Sequence, residues 1–243
     1  MAGVMLITGA SRGIGAATAR LAAERGYKVC VNFVRDRTAA EAVAREVSGI
    51  AVPADVSKEA EVLRMFEEID RRLGRLSVLV NNAGVVDHNA RLDEMSVARL
   101  ERMFAINITG SFLCAREAVK RMSKRRGGNG GSIVNLSSVA ARLGSPGVYV
   151  DYAAAKAAID CFTIGLSKEV GPEGIRVNAV RPGVIHTEIH ASGGDPDRAD
   201  RIGKTAPLER AGEPEEIARA ILWLASEEAS YVSGAIVDVA GGR

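Results

Sequence analysis

The chain has 243 residues, of which 47% are hydrophobic, and its formal net charge is +2. That length suits one large α/β domain or two small ones, and the near-neutral charge argues against nucleic acid or a membrane surface as a partner. No apolar run approaches the length of a membrane span, and a strand pattern begins at Val4, which leaves no room for a cleavable leader. We therefore expect a cytoplasmic protein.

Strand and helix patterns alternate along the whole chain, which predicts a parallel sheet covered by helices on both faces. The predicted strands cover residues 4–8, 28–33, 50–53, 76–80, 132–136, 175–180 and 235–239. The predicted helices cover residues 14–25, 38–47, 59–73, 97–125, an Ala-rich run through 152–156, and 215–225. Because no linker, repeat or low-complexity segment divides this pattern, we predict a single domain over residues 1–243.

A glycine-rich turn joins the first strand to the first helix. Its spacing is G-x-x-x-G-x-G rather than the commoner G-x-G-x-x-G. Glycine is needed where a side chain would block a pyrophosphate, and the amides and dipole of a helix N-terminus attract a phosphate. The alternative is a tight turn with only a structural role. The residues predicted to contact a dinucleotide here are Gly9, Ser11, Arg12, Gly13, Ile14 and Gly15.

The end of the second strand predicts which nicotinamide cofactor is used. A carboxylate there binds the ribose diol of NAD, but Asn32 stands near that position instead. Arg35 and Arg37 follow, and together with Arg12 they suit the 2′-phosphate of NADP(H). Asp36 would reverse the preference if it turned inward, and the two later arginines are also compatible with a solvated helix start.

Polar residues follow the third and fourth strands. Asp55-Val56 lies where ligands bind in such sheets, and the Asp55 carboxylate either contacts the adenine amino group, caps a helix starting near Ser57, or does both. Asn81-Asn82-Ala83-Gly84 offers amide donors and acceptors with close backbone approach. An Asn-rich structural turn is the alternative for this segment.

Asn107 interrupts an apolar part of the long predicted helix. A buried amide needs hydrogen-bond partners, so Asn107 indicates either a structural hydrogen bond or a kink that holds a water on a proton path. The same helix ends in the basic run Lys120–Arg126. We predict that this run complements the helix dipole and is solvated, with docking of an acidic carrier as the alternative.

Tyr152 and Lys156 are four residues apart in the Ala-rich helix, so their side chains lie on one face. A nearby cation favours a phenolate and lowers the pKa of the phenol, which would then exchange a proton with a carbonyl or alcohol oxygen. Ser138 follows the fifth strand and would hydrogen-bond the same oxygen. Ordinary surface patterning is the alternative for the Tyr-x-x-x-Lys spacing taken alone.

Two further features concern the C-terminal third and the cysteines. The sixth strand ends in Arg181-Pro182-Gly183, and the polar segment over about 185–205 is predicted to form a substrate lid. His186 and His190 have helical spacing but are predicted to be a solvated pair, and we predict no metal site. The cysteines are each predicted to be small buried hydrophobic residues, namely Cys30, Cys114 and Cys161.

Taken in order, these motifs resemble those of the short-chain dehydrogenase/reductase family over essentially the whole chain. The motifs that carry the resemblance are Thr8–Gly15, Asp55-Val56, Asn81–Gly84, Asn107, Ser138, Tyr152/Lys156 and Pro182-Gly183. The resemblance implies a doubly wound Rossmann fold with a seven-stranded parallel sheet in the order 3-2-1-4-5-6-7. It implies a homotetramer as well.

The resemblance also implies a role for each site residue. Tyr152 would be the general acid in reduction and the base in oxidation, and Lys156 would lower its pKa and bind the nicotinamide ribose. Ser138 would polarise the substrate oxygen, and Asn107 would steady a water that relays protons. Cofactor contacts from the later loop would come from Pro182, Gly183, Ile185 and Thr187.

The substrate stays open within the family. The chain resembles its 3-oxoacyl-[acyl-carrier-protein] reductases and glucose dehydrogenase-like members in length and motifs. However, Gly171–Gly174 is acidic or neutral where a basic residue would help to dock an acidic carrier. We therefore expect a general NADP(H)-dependent carbonyl reductase or alcohol dehydrogenase, with the carrier-linked reductase as the first alternative. A cofactor-binding sensor without turnover is the second.

Overall fold

A computed structural model describes residues 3–243 and contains one seven-stranded sheet. Its strands are β1 (Val4–Ile7), β2 (Lys28–Phe33), β3 (Ile50–Pro53), β4 (Leu76–Asn81), β5 (Gly131–Leu136), β6 (Ile175–Pro182) and β7 (Ile236–Val239). All neighbouring strands pair in parallel, in the order β3-β2-β1-β4-β5-β6-β7. The predicted fold, sheet order and single domain are confirmed, and the strand ends shift by at most two residues.

Helices connect successive strands. The α-helices are α1 (Gly13–Glu24), α2 (Arg37–Glu46), α3 (Glu59–Arg72), α4 (Val97–Phe104), α5 (Gly110–Met122), α6 (Ala140–Leu143), α7 (Val150–Val170), α8 (Ile189–Ser192), α9 (Arg198–Gly203) and α10 (Pro214–Ala225). A π-helical turn at Ala105–Thr109 divides the long helix predicted over 97–125 into α4 and α5. Among the residues that the structure describes, no helix is long and apolar enough to cross a membrane.

The core is divided into two hydrophobic layers, one on each face of the sheet. Successive side chains of β1 alternate between them, since a strand has a period of two: Met5 and Ile7 lie in one layer and Leu6 in the other. The first layer is closed by α1, α2 and α10, and the second by α3 and α5. Both faces are covered, which explains why the strands are continuous apolar runs.

Two of the three cysteines are buried as predicted, and the third is not. Cys30 and Cys114 are buried, and burial raises the pKa of the Cys114 thiol to about 12, so it is unreactive. Cys161 is exposed on α7. The Ala-rich sequence around Cys161 does not distinguish the buried face of α7 from its outer face, and the prediction of burial for Cys161 was wrong for that reason.

The carboxyl ends of the strands lie at one edge of the sheet. The chain crosses from β1 towards β2 and β3 on one side, and then returns to β4 on the other side of β1. In a doubly wound sheet, the loops after β1 and β4 therefore diverge and leave a crevice between them. This topology brings together the polar segments that follow the strands.

Candidate active site

A cavity of about 910 Å³ opens at the carboxyl edge of the sheet. Most of the site residues predicted from the sequence lie on its wall. These are Gly9, Ser11, Arg12, Gly13, Ile14, Arg35, Asp55, Val56, Asn82, Ala83, Gly84, Ser138, Tyr152, Lys156, Pro182, Gly183, Ile185 and Thr187. Gly15, Asn32 and Asn107 are not on the wall.

The glycine-rich turn has a backbone that only glycine adopts readily. Gly9 and Gly13 have φ values of 62° and 54°. A Cβ added to Gly15 would lie 2.7 Å from the Asn82 side chain, so this glycine permits close packing rather than ligand contact. The residue that precedes α1, Arg12, makes no side-chain cap. The first N–H groups of α1 are thus left available, which fits a pyrophosphate.

Asn32 lies beneath the glycine-rich turn, off the cavity wall to which the sequence assigned it. Its side chain is 1% exposed. It accepts a hydrogen bond from the Gly9 amide at 3.1 Å and donates to the Ala54 carbonyl at 3.0 Å. Asn32 therefore fixes the position of the turn relative to β2 and β3, and the residues that reach the cavity come after it.

The three charged residues that follow β2 differ in the contacts that their side chains make. Arg35 lines the cavity and forms no salt bridge with residues 3–243. Asp36 caps α2, where its Oδ1 accepts from the Ala39 amide at 2.9 Å. The guanidinium of Arg37 pairs with Glu41 at 3.2 Å and is not on the wall. Arg35 and Asp36 both line the cavity, but the Asp36 carboxylate is engaged as a cap, so Arg35 is the better placed to bind a ligand.

Asp55 closes a turn rather than capping a helix. Its Oδ1 accepts from the Ser57 amide at 3.0 Å and from the Ser57 hydroxyl at 2.7 Å. Helix α3 starts two residues later, at Glu59. The predicted capping role was wrong because the turn is completed before the helix begins.

Thr8 and Asn82 join the loops that follow β1 and β4. The Thr8 hydroxyl accepts from the Asn82 and Ala83 amides at 3.0 and 2.9 Å. The Asn82 side chain donates to the carbonyls of Thr8 and Gly9 at 2.7 and 3.0 Å. Asn82 thus supports the glycine-rich turn from the side. Thr8 was visible in the sequence only as the residue before that turn.

Tyr152, Lys156 and Ser138 meet at the opposite end of the cavity. Lys156 Nζ lies 5.5 Å from the centroid of the Tyr152 ring and donates to the Leu136 carbonyl at 2.7 Å. The Ser138 hydroxyl accepts from the Ala140 amide at 3.1 Å and lies on the same cavity wall as the Tyr152 phenol. Ser137 fixes α7 against β5 by donating to the Lys156 carbonyl at 3.1 Å. The predicted proximity of the three side chains is observed.

The electrostatics of this group differ from the expectation. Burial raises the pKa of Tyr152, and the nearby Ser138 hydroxyl opposes that rise. Burial also lowers the pKa of Lys156 to about 8, which the Asp160 carboxylate partly offsets. The expected lowering of the Tyr152 pKa by Lys156, whose Nζ lies 5.5 Å from the ring centroid, is outweighed by burial. The phenol therefore stays protonated at neutral pH.

Asn107 is fully buried in the π-helical turn, and both polar atoms of its side chain have hydrogen-bond partners. Its Oδ1 accepts from the Val85 amide at 3.1 Å, and its Nδ2 donates to the carbonyls of Val85 and Met103, both at 3.0 Å. A Cβ on Gly84 would lie 2.8 Å from Asn107 Oδ1 and 3.5 Å from Lys156 Nζ. The structural hydrogen bond is thus present, and the water on a proton path remains a prediction.

The predicted lid segment folds into α8 and α9 over the cavity. Arg198 lies with its Cζ 5.1 Å from the centroid of the Tyr149 ring. Tyr149 in turn packs edge-on against Tyr152, with ring centroids 5.5 Å apart. The segment therefore contacts the Tyr152 region through one aromatic residue. Its opening and closing remain a prediction.

Of the two histidines expected to be solvated, His186 is exposed and His190 is half-buried. His186 lies between Glu213 at 2.8 Å and Asp200 at 3.0 Å, whose hydrogen bonds raise its pKa. His190 Nε2 lies 2.9 Å from the Ile185 carbonyl. In the described part of the chain, no group of three or more His, Cys, Asp or Glu side chains is arranged to hold a metal ion.

The chain is similar to known oxidoreductases over nearly its whole length. The family model described as enoyl-(acyl carrier protein) reductase matches residues 9–243. The chain is 51% identical to the uncharacterized oxidoreductase YgfF of Escherichia coli, with 99% of each chain covered. It is 40% identical to the 3-oxoacyl-[acyl-carrier-protein] reductase of Synechocystis sp., covering 98% of this chain and 96% of that protein. The solved structure of a Serratia marcescens short-chain dehydrogenase/reductase mutant has a TM-score of 0.90 and 32% identity, covering 99% of this chain and 97% of that one.

Proposed function

We propose that the chain, which belongs to the short-chain dehydrogenase/reductase family of oxidoreductases, is an NADP(H)-dependent enzyme that interconverts a carbonyl compound and the corresponding secondary alcohol. One observation carries this proposal. Tyr152, Ser138 and Lys156 meet in the same cavity as the glycine-rich turn. The proposed proton donor for a carbonyl oxygen and the proposed dinucleotide-binding turn thus line the same cavity.

The residues of this cavity fit a nicotinamide dinucleotide. The left-handed glycines and the uncapped start of α1 suit the pyrophosphate. Lys156 would bind the nicotinamide ribose, and Ile185 and Thr187 would contact the carboxamide. A bound nicotinamide supplies the hydride in reduction and accepts it in oxidation.

The side chains then supply position and a proton. Tyr152 donates its phenolic proton to the carbonyl oxygen during reduction, and the raised pKa keeps this proton on the phenol until it is needed. Ser138 donates a hydrogen bond to the same oxygen and so stabilises the negative charge that develops there. In oxidation Tyr152 would act as the base, with Lys156 and Asn107 on the path by which the proton leaves.

Preference for NADP(H) is supported by the arginines at the adenosine end. Arg35 lines the cavity and has no ion-pair partner among residues 3–243, and Arg12 lines the same cavity. Asp36 is held as the cap of α2, so its carboxylate is already engaged. A 2′-phosphate between the two guanidiniums would gain charge-assisted hydrogen bonds.

A carrier-linked 3-oxoacyl reductase is the alternative function, and the 40% identity to the Synechocystis enzyme favours it. The basic run does not support it. Lys120 pairs with Glu117 at 2.7 Å, Arg121 with Glu117 at 3.0 Å, and Arg125 with Glu173 at 3.5 Å. Internal pairing leaves less positive charge to bind an acidic carrier. A general carbonyl reductase is therefore our first choice.

We also propose that the enzyme is a cytoplasmic homotetramer. Large apolar side chains are exposed on α4, α5 and α7, at Phe104, Phe112 and Ile164. An exposed apolar patch of this kind is typical of a subunit interface. Light scattering tests the assembly, and a monomeric mass at working concentration would refute it.

The function is tested by following oxidation of NADPH and, separately, of NADH by the purified protein. The carbonyl panel includes a β-ketoacyl thioester, small ketones and aldehydes, diketones and ketosugars. We expect faster turnover with NADPH. A β-ketoacyl thioester as the best substrate would favour the carrier-linked enzyme. Tight cofactor binding with no turnover would refute the reductase and favour a sensor.

A further inference from the structure

We propose that the substrate carries an anionic group, a carboxylate or a phosphate, a few bonds from the reacting carbonyl, and that Arg198 and Arg243 bind this group. The inference rests on the proposed function and adds the substrate class to it. The two arginines belong to different parts of the chain, α9 and the segment after β7, and both line the cavity.

The arginines are placed beside the reacting centre by Tyr149. The Tyr149 ring contacts the Tyr152 ring edge-on, and the Arg198 guanidinium lies over the Tyr149 ring at 5.1 Å. Burial raises the pKa of Tyr149, whereas the positive charges of both Arg198 and Arg243 oppose that rise. Arg198 is thus in contact with the ring that packs against Tyr152, and Arg243 adds its charge from its place on the same cavity wall.

The charge of Arg198 is only partly neutralised within the lid segment. Asp195 is its acidic neighbour, at 3.7 Å, but Asp195 makes a closer contact with Arg201. One carboxylate thus serves two guanidiniums, and a net positive charge remains. The Arg198 side chain is only 19% exposed, so this charge is weakly screened by solvent.

Arg243 is held at the cavity by its backbone. Its carbonyl accepts from Arg142 Nη2 at 2.8 Å, and Arg142 in turn pairs with Asp238 at 2.9 Å. The guanidinium of Arg243 forms no salt bridge with residues 3–243. Arg243 therefore brings a second positive charge that is not already paired.

The acidic residues of the cavity lie elsewhere on its wall. Asp36 and Asp55 follow β2 and β3, and Glu188 Oε2 lies 3.7 Å from the position of a Cβ on Gly13, beside the glycine-rich turn. Asp87 is paired with Arg102 at 3.3 Å. Around Tyr149 two arginines thus act against one carboxylate, that of Asp195, and the net charge there is positive.

Two guanidiniums on this part of the wall suit a substrate that carries both an anionic group and the reacting carbonyl. Arginine forms paired hydrogen bonds with the oxygens of a carboxylate or phosphate, and these are strong where water is excluded. An anion held there would place a carbonyl a few bonds away near the Tyr152 phenol. A long neutral acyl chain would gain nothing from the two charges.

The test compares anionic substrates with neutral partners of similar size. The pairs are acetoacetate with methyl acetoacetate, and dihydroxyacetone phosphate with dihydroxyacetone. We expect kcat/KM to favour the anionic member of at least one pair by about tenfold or more. The pair that shows the preference distinguishes a carboxylate from a phosphate as the natural group.

Variants then assign the preference to the two arginines. Arg198→Met and Arg243→Met keep the apolar stem and remove the charge, and we expect each to raise the KM of the anionic substrate about tenfold or more while kcat changes little. The neutral partner should be unaffected, and Arg198→Lys should retain part of the preference. Lys204→Met is the matched control, because Lys204 is an exposed cation at the end of α9 that is not on the cavity wall.

The outcomes separate this inference from the proposed function. Equal use of neutral and anionic substrates, or an equal loss in Lys204→Met, would overturn the anionic substrate class and leave the reductase intact. No turnover of any carbonyl with either cofactor would overturn the proposed function and the inference together.

Discussion

The Arg99 guanidinium contacts both carboxylate oxygens of Asp151, at 2.8 and 3.3 Å, and the Asp151 side chain is completely buried. Asp151 Oδ1 also accepts from the Tyr152 amide at 2.9 Å. The pair therefore joins α4 to the first turn of α7, directly before the proposed catalytic tyrosine. Neither residue was singled out from the sequence, because 52 residues separate them.

The first prediction concerns this ion pair. Asp151→Asn should lower the free energy of unfolding by about 3–5 kcal/mol, because it leaves the Arg99 charge without its partner in a buried place. Urea denaturation measures the change. Glu46→Gln is the control, since the Arg20–Glu46 pair is about half exposed, and it should cost less than about 1 kcal/mol. Equal effects would show that burial does not strengthen the pair.

The second prediction concerns the proton donor. Tyr152→Phe should lower kcat by about 10²- to 10⁴-fold and leave NADPH binding nearly unchanged, because it removes only the phenolic oxygen. Steady-state rates and a cofactor titration measure the two effects. Tyr149→Phe should keep most of its kcat, since residue 153 is Ala where a partner lysine would stand. A larger loss of kcat in Tyr149→Phe than in Tyr152→Phe would show that Tyr152 is not the proton donor.

The third prediction concerns the choice of cofactor. Arg35→Ala should raise the KM for NADPH by about tenfold and change that for NADH little, because only NADPH carries the 2′-phosphate. Arg37→Ala is the matched control. Its side chain pairs with Glu41 and lies off the cavity wall, so the cofactor preference should stay. If the two variants behave alike, the effect is one of general surface charge.

The fourth prediction concerns the pH dependence of stability. Burial lowers the pKa of Lys156 from the usual 10.5 to about 8, so the unfolded chain binds more protons than the folded one between these values. The stability of the wild type should therefore rise relative to Lys156→Met as pH increases from 8 to 10.5. Each pKa unit of the difference corresponds to about 1.4 kcal/mol.

Parallel denaturation series for both proteins at several pH values measure this change. A difference in stability that stays constant over this range would show that the Lys156 ammonium is not destabilised by burial. A difference that moves in favour of the variant would contradict the direction of the pKa shift.

The fold was predictable because its determinants are local in the sequence. The apolar run Val4–Ile7, for example, ends at Thr8 and Gly9, and a helical pattern follows it. This alternation predicts the parallel sheet, and the ordered motifs imply its strand order. In the sequence, only the Asn107 amide within an apolar stretch indicated the π-helical turn. No residue propensity distinguishes a π turn from a continuous α-helix.

The site was less completely predictable, because its details depend on contacts between distant segments. Asn32 faces the glycine-rich turn rather than the cavity, which the strand pattern alone does not reveal. The spacing of Tyr152 and Lys156 predicted their proximity but not that the ammonium binds the Leu136 carbonyl. Arg198 and Arg243 reach one tyrosine from two separate segments, and no local pattern in the sequence joins them.

The central claim is transfer of a hydride from nicotinamide to a carbonyl carbon, with Tyr152 as the proton donor. We would measure it with NADPH that carries deuterium in the transferable position, using the best substrate of the carbonyl panel. We expect deuterium on the carbinol carbon of the product in the wild type, and formation of that product slowed at least about a hundredfold in Tyr152→Phe. Product without deuterium, or equal rates in the two proteins, would contradict it.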